Sequence, residues 1–105
     1  MDGTWRRGGV SGDHFGIIVI AIREAGDDIS GTACRTSSGH LIFRDVPVTG
    51  RNPYVTFTLD GGRYEGEIVS EELIDGLFQY AGGSQEWAFQ RTALSEFEAC
   101  QSALP

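Results

Sequence analysis

The chain has 105 residues, 40% of them hydrophobic, and a formal charge of −7. This length allows one hydrophobic core and is too short for two. The acidic charge argues against nucleic acid and anionic membranes as partners, because both of them bind basic surfaces.

Apolar runs separated by turn residues predict about eight strands in a meander. The predicted strands cover residues 3–8, 14–24, 28–36, 40–49, 54–60, 63–70, 73–80 and 86–92. The breaks between most of them are rich in Gly, Asp, Asn and Ser, which is typical of tight turns. The pattern predicts an all-β fold, an eight-stranded antiparallel up-and-down barrel, with residues 1–92 as the barrel domain.

Residues 93–105 break the strand pattern and predict a short helical tail packed on the barrel. Ser95 and Glu98 have capping-box spacing. One side of the helix would carry Leu94, Phe97, Cys100 and Leu104. Its partner would be the second strand, which is apolar on both faces from Phe15 to Ile22 and needs an outer cover. A second copy of the chain is the alternative cover, so we expect a monomer or a homodimer.

The two cysteines, Cys34 and Cys100, are the clue to the cellular compartment. Cys34 has the outward parity of its strand, so a Cys34–Cys100 disulfide would fasten the helix to the third strand. One disulfide suits an exported domain and favours a periplasmic or secreted location over the cytoplasm, although two reduced cysteines remain the alternative. The first thirty residues show no signal-peptide pattern, and the Phe15 to Ile22 run is too short to cross a bilayer.

Alternation within the strands assigns an interior face. In the last predicted strand, Trp87, Phe89 and Arg91 share one face. The interior aromatic residues predicted in this way are Phe57, Tyr64, Phe78, Trp87 and Phe89.

Inward glycines recur at equivalent places, at Gly31, Gly66 and Gly76, each two residues after an inward apolar side chain. Such glycines let strands coil sharply in a small barrel and leave space inside it. Two interpretations remain open at this point. The glycines serve bending alone, or they also make room for a ligand.

The two ends of the chain predict how the barrel closes. If the first and last strands pair, the Arg91 guanidinium can lie over the Trp5 ring as a cation–π lid. Gly3-Thr4-Trp5, the late arginine, the hairpin meander and the trailing helix resemble the calycins, which include lipocalins, fatty-acid-binding proteins and avidins. The resemblance implies that Trp5 and Arg91 form a structural plug.

A more specific resemblance is to small bacterial lipocalin-like domains. These share the Gly-Thr-Trp start, an Ile-Ser-Gly-Thr stretch such as the one beginning at Ile29, and an aromatic-x-Phe-x-Arg finish. The avidin layout is similar at a distance. However, Arg6 and Arg7 follow Trp5 where avidins carry a biotin-contacting Asn, so no biotin site is expected.

Meander topology gathers alternate turns at the open end of the barrel, at residues 8–14, 36–40, 60–63 and 81–85. The predicted ligand-binding rim there consists of Arg7, His14, Arg35, His40, Arg63 and Tyr80. Arginine and histidine above an aromatic interior suit a small apolar or amphipathic molecule with an anionic head. The alternative is that these are solvated turn residues.

Two other functions stay open. A protein-binding or inhibitor barrel would act through its loops, such as the one from Gly8 to Gly12. A barrel cyclase or isomerase could use His14 and His40 with Asp13 or Asp60 as acid and base. We assign no catalytic residue, metal site or cofactor, because no nucleophile motif or metal-ligand spacing is present in the sequence.

Overall fold

The computed structural model describes residues 2–8, 16–37, 40–59 and 61–103, and for His40 the backbone only. Eight strands and one helix follow in the order β1 (Gly3–Arg7), β2 (Ile17–Ala25), β3 (Asp28–Ser37), β4 (His40–Arg51), β5 (Tyr54–Leu59), β6 (Gly62–Ile68), β7 (Leu73–Tyr80), β8 (Gly83–Thr92) and α1 (Leu94–Ser102). Each strand pairs antiparallel with the next and β8 pairs with β1, which closes the barrel. The predicted all-β meander barrel is therefore confirmed.

The hydrophobic core fills the barrel, because alternate side chains of every strand point inward. On β2, for example, Ile18, Ile20 and Ile22 are buried in this core. The aromatic members of the core are Trp5, Phe57, Tyr64, Phe78, Trp87 and Phe89. The apolar residues that were predicted to face inward on β5 and β8 do so.

The outer face of β2 and β3 lies beneath α1. Val19 and Cys34 alternate with core residues and point outward, yet they are 1% and 0% exposed. Cys34 is joined to Cys100 of α1 by a disulfide with the Cα atoms 6.2 Å apart. Gln101 Nε2 also donates a hydrogen bond of 2.6 Å to the carbonyl oxygen of Arg44 on β4. The predicted disulfide is confirmed, and the helix covers part of the apolar outer wall.

The start of α1 differs from the prediction. The helix begins at Leu94 directly after β8, its N-cap is Ala93, and no side chain caps it. Ser95 therefore lies inside the first turn, so the predicted Ser95–Glu98 capping box is wrong. Leu94 is 57% exposed, whereas Cys100 is buried, so the helix contacts the wall through its C-terminal half. Leu104 lies outside the described residues.

The wall is irregular along β4. Ala33 pairs with Val46 but Arg35 pairs with Phe43, so Arg44 and Asp45 together oppose Cys34 in a β-bulge. On its other edge, β4 pairs with β5 only from Thr49↔Thr56 to Arg51↔Tyr54. We call the opening between residues 40–48 of β4 and residues 57–59 of β5 the β4–β5 notch.

Candidate ligand site at the open end of the barrel

At one end of the barrel, side chains of the first and last strands cover the core. Trp5 pairs with Arg91, and the Arg91 guanidinium lies 4.8 Å from the centre of the Trp5 ring. The guanidinium also donates to the carbonyl oxygens of Glu71 and Asp2, at 3.2 and 3.1 Å. The cation–π contact expected from the sequence is present, and backbone carbonyls hold the cation in place. We call this the plugged end.

At the opposite end, two arginines point into the barrel. Arg7 of β1 and Arg35 of β3 both pair with Ile18 of β2, on its two sides, and Ile18 is a core residue. Side chains at paired positions share a face of the sheet, so both guanidinium groups lie on the interior side. Arg35 is only 9% exposed. The open end thus holds two inward cations in one row across three strands.

Both arginines stack on aromatic rings. The Arg7 guanidinium lies 4.6 Å from the centre of the Trp87 ring, and the Arg35 guanidinium lies 5.3 Å from the centre of the Phe43 ring. Arg7 Nη1 also donates to the carbonyl oxygen of Gly16 at 3.3 Å. Guanidinium groups are weakly hydrated and stack well on aromatic faces, which explains how these cations are accommodated inside the barrel.

The Trp87 ring is the centre of a stack that spans the open end. Phe78 lies parallel to it, with the ring centres 4.3 Å apart and a 3° angle between planes. Because Phe78 covers one face of the indole, Arg7 must occupy the other face. Tyr80 continues the stack beyond Phe78, at 5.8 Å, and Trp87 Nε1 donates to Gln85 Oε1 at 2.6 Å. The stack covers the part of the open end beside β1, β7 and β8.

Tyr64 fills the centre of the barrel. Its ring centre lies 5.0 Å from that of Phe57 and 5.2 Å from that of Phe89, and its hydroxyl donates to the carbonyl oxygen of Trp87 at 3.2 Å. Burial, with a smaller contribution from the Asp75 carboxylate, raises the pKa of Tyr64 far above its ordinary value. The hydroxyl is therefore a neutral donor at physiological pH.

One of the inward glycines makes room for this tyrosine. Gly66 pairs directly with Gly76, and a Cβ atom at Gly66 would lie 2.5 Å from the Tyr64 hydroxyl oxygen. The space beside Gly66 is thus occupied by the protein's own side chain, whereas a Cβ atom at Gly76 would meet the backbone carbonyl oxygen of Glu65 on the neighbouring strand. A groove of about 720 Å³ lies outside the barrel, between α1 and the wall formed by β1, β2 and β3.

The predicted rim residues do not all meet at the open end. Arg7, Arg35 and Tyr80 do, whereas Arg63 lies on the outer face, where its Nε is 2.9 Å from Glu65 Oε1. The backbone of His40 begins β4 at this end, and nothing is described of its side chain. The remaining rim residue, His14, and the predicted acid and base residues Asp13 and Asp60 lie outside the described residues.

Two members of the site were missed by the sequence reasoning. Phe43 faces Arg35 only because the bulge at Arg44 and Asp45 shifts the alternation of β4, and a strict period of two cannot anticipate that shift. Gln85 belongs to β8, which begins three residues earlier than predicted. The sequence signal for Gln85 is that it lies two residues before Trp87, which places both side chains on the same face of the strand.

The chain matches no protein-family model, no curated protein and no solved structure. The closed barrel with a C-terminal helix is compatible with a calycin-like fold. Within the described residues, no helix is long and apolar enough to cross a membrane. The same residues contain no group of three or more His, Cys, Asp or Glu side chains placed to hold a metal ion.

Proposed function

We propose that this barrel binds a small amphipathic molecule, with its anionic head at Arg7 and Arg35 and its apolar body against the interior aromatic residues. The observation that carries the proposal is the pair of inward guanidinium groups at one end, each stacked on an aromatic ring. A guanidinium binds a carboxylate or phosphate through two parallel hydrogen bonds, and such bonds are strong where water is scarce.

The charge distribution supports an anionic ligand despite the overall charge of −7. At the plugged end, Asp27 and Asp28 lie at the β2–β3 turn, each within 4 Å of Arg51, and Glu71 and Glu72 lie in the β6–β7 turn. The inward arginines lie at the opposite end. An anion is therefore attracted toward the open end.

The interior aromatic residues Phe57, Tyr64, Phe78, Trp87 and Phe89 would form the apolar wall of the site. They contact one another inside the barrel, so the ligand has to displace part of this cluster. Tyr80 and Phe78 are at the outer end of the stack, and Tyr80 is 38% exposed.

We further propose that the protein belongs among the lipocalin-like calycins and acts outside the cytoplasm. The plugged end, the closed meander barrel and the trailing helix support the first statement. The Cys34–Cys100 disulfide supports the second, because such bonds persist in oxidising compartments.

The test uses native mass spectrometry and two fluorescent probes. Protein purified without denaturation should carry a non-covalent ligand that leaves on activation. The anionic probe 1-anilinonaphthalene-8-sulfonate should bind more tightly than the neutral N-phenyl-1-naphthylamine. Arg7→Gln should abolish that preference, whereas Arg63→Gln on the outer face should keep it. No probe binding and a clean apo mass would contradict the proposal.

Protein binding is the second candidate function, and one observation favours it. Tyr54 and Leu77 are 59% and 44% exposed on the wall formed by β5 and β7, away from α1. Exposed apolar side chains on one wall are typical of protein contacts. The protein-binding function is supported if the probes do not bind and Leu77→Asp abolishes capture of a protein partner.

A further inference from the structure

The β4–β5 notch is a break in the hydrogen bonding of the barrel wall. β4 continues from Thr49 to His40 and β5 continues from Thr56 to Leu59, but these segments do not pair with each other. β4 keeps its pairing with β3 along this segment, and β5 keeps its pairing with β6. The wall can therefore part at the notch without losing strand-to-strand hydrogen bonds.

The position of Pro47 explains why the ladder stops. Arg51 and Tyr54 flank a two-residue turn, so they form a hydrogen-bonded pair, and such pairs recur at every second residue of an antiparallel ladder. Thr49↔Thr56 is the next bonded pair, and residues 47 and 58 would form the one after it. Proline has no N–H to donate to Thr58. The bulge at Arg44 and Asp45 then bends β4 further along.

The notch borders the interior cluster. A groove of about 240 Å³ lies on the outer face at this place, and its lining residues are Pro47, Thr49, Thr56, Phe57, Thr58 and Arg63; of these, Phe57 belongs to the core. Phe43 and Val46 pack against the core from the β4 side of the notch. The stack of Arg7, Trp87, Phe78 and Tyr80 covers the end of the barrel beside β1, β7 and β8 instead.

We propose that the apolar part of the ligand passes into the barrel through the β4–β5 notch, and that Pro47 keeps this route open. The inference rests on the proposed function. A filled interior can admit a ligand only if the wall gives way, and separating paired strands elsewhere breaks backbone hydrogen bonds. At the notch there is no ladder to break, so β4 can move away from Phe57 at lower cost.

Pro47→Val tests the inference, because valine restores the missing N–H on an exposed position. We expect a new pair between residues 47 and 58, measured as slower hydrogen exchange of the Thr58 amide. Association of N-phenyl-1-naphthylamine, followed by stopped-flow fluorescence, should slow by roughly tenfold or more, because the new pair adds two backbone hydrogen bonds and each lowers the opening equilibrium by roughly threefold or more. Dissociation should slow equally and leave the Kd unchanged.

Ser30→Val is the matched control, because it adds valine on the outer face of the neighbouring strand β3, away from the notch, without adding a backbone donor. It should leave the association rate at the wild-type value. Pro47→Ala also restores the N–H and should behave as Pro47→Val does, which keeps the test available if the bulkier variant fails to fold.

The possible results separate the route from the function. If Thr58 becomes protected but the probe associates at the wild-type rate, the route is wrong and the proposed function stands. If neither Pro47 variant protects Thr58, our explanation of the notch is wrong. If the wild-type protein binds neither probe, the proposed function fails and the route fails with it.

Discussion

The two ends of this barrel use the same pair of side-chain types in opposite ways. At the plugged end, the exposed Arg91 lies on the solvent side of a Trp5 ring that is 0% exposed. At the open end, Arg7 reaches Trp87 from within the barrel. The same cation–π contact closes one end and places a positive charge inside the other.

The difference follows from what else each guanidinium contacts. Arg91 donates to the carbonyls of Glu71 and Asp2, which belong to the β6–β7 turn and the segment before β1, so it ties strand ends together. Arg7 and Arg35 instead flank Ile18 on the interior face at the open end, where Arg7 donates to the Gly16 carbonyl oxygen. A residue that joins chain ends stabilises the fold, whereas inward cations at an aromatic end suit a ligand. An arginine–tryptophan cation–π contact therefore does not by itself show whether the arginine stabilises the fold or contacts a ligand.

The largest expected effect comes from removing the disulfide, which lies at neither end of the barrel. Replacing Cys34 and Cys100 with alanine removes a bond across a sequence separation of 66 residues. By the chain-entropy relation this lowers the free energy of unfolding by about 4 kcal/mol. Denaturant melts should show this loss with probe affinity unchanged. A change in the preference for the anionic probe would mean that α1 shapes the open end, and our separation of the ends would be wrong.

Arg91→Met should lower the free energy of unfolding by about 1–2 kcal/mol, because it removes hydrogen bonds from a charged but solvent-facing donor and the contact with Trp5. Chemical denaturation measures the loss. Arg23→Met is the control, since Arg23 is exposed on the outer face, and it should cost less than about 0.5 kcal/mol. Equal effects of the two substitutions would show that Arg91 is not a plug.

Tyr64→Phe should cost about 1 kcal/mol near neutral pH, because the buried hydroxyl loses its bond to the Trp87 carbonyl. In the unfolded chain the tyrosine ionises at about pH 10, whereas burial raises its pKa above that value in the folded protein. Above that pH the unfolded state binds fewer protons, so wild-type stability falls as pH rises.

Tyr64→Phe has no hydroxyl to ionise at position 64, so its free energy of unfolding should fall less between about pH 9 and 11 than that of the wild-type protein. The measurement is urea denaturation at a series of pH values. Parallel pH profiles for the wild-type protein and Tyr64→Phe would show that Tyr64 is ionisable in the folded barrel, against the burial described here.

The smallest expected effect is spectroscopic. The chain has two tryptophans, one at each end. Trp5→Phe leaves Trp87 as the reporter, and its emission should change when the anionic probe binds. Trp87→Phe leaves Trp5, whose emission should remain constant in a protein that still folds. A response from Trp5 would place the ligand at the plugged end.

The sequence predicted the fold well because strand alternation and turn residues are local signals. The eight strand segments, the barrel interior and the inward Arg91 all follow from a period of two. The helix start was missed, since Leu94 follows β8 without a side-chain cap. The site was predicted only partly. Arg63 directly precedes the inward Tyr64 and therefore points outward, but the rim residues were grouped by their nearness to turns and not by the face of the strand on which they lie.

The amino-acid sequence alone determined the eight strands, the closure of the barrel and the residues of the plugged end, because each depends on alternation, turn chemistry or adjacent chain ends. Only the tertiary structure decided that Tyr64 fills the space over Gly66, that Phe43 lies beneath Arg35, and where the wall stays unpaired. The last two features depend on the bulge opposite Cys34 and on the register of β4 against β5. Register is a relation between strands, and no single segment encodes it.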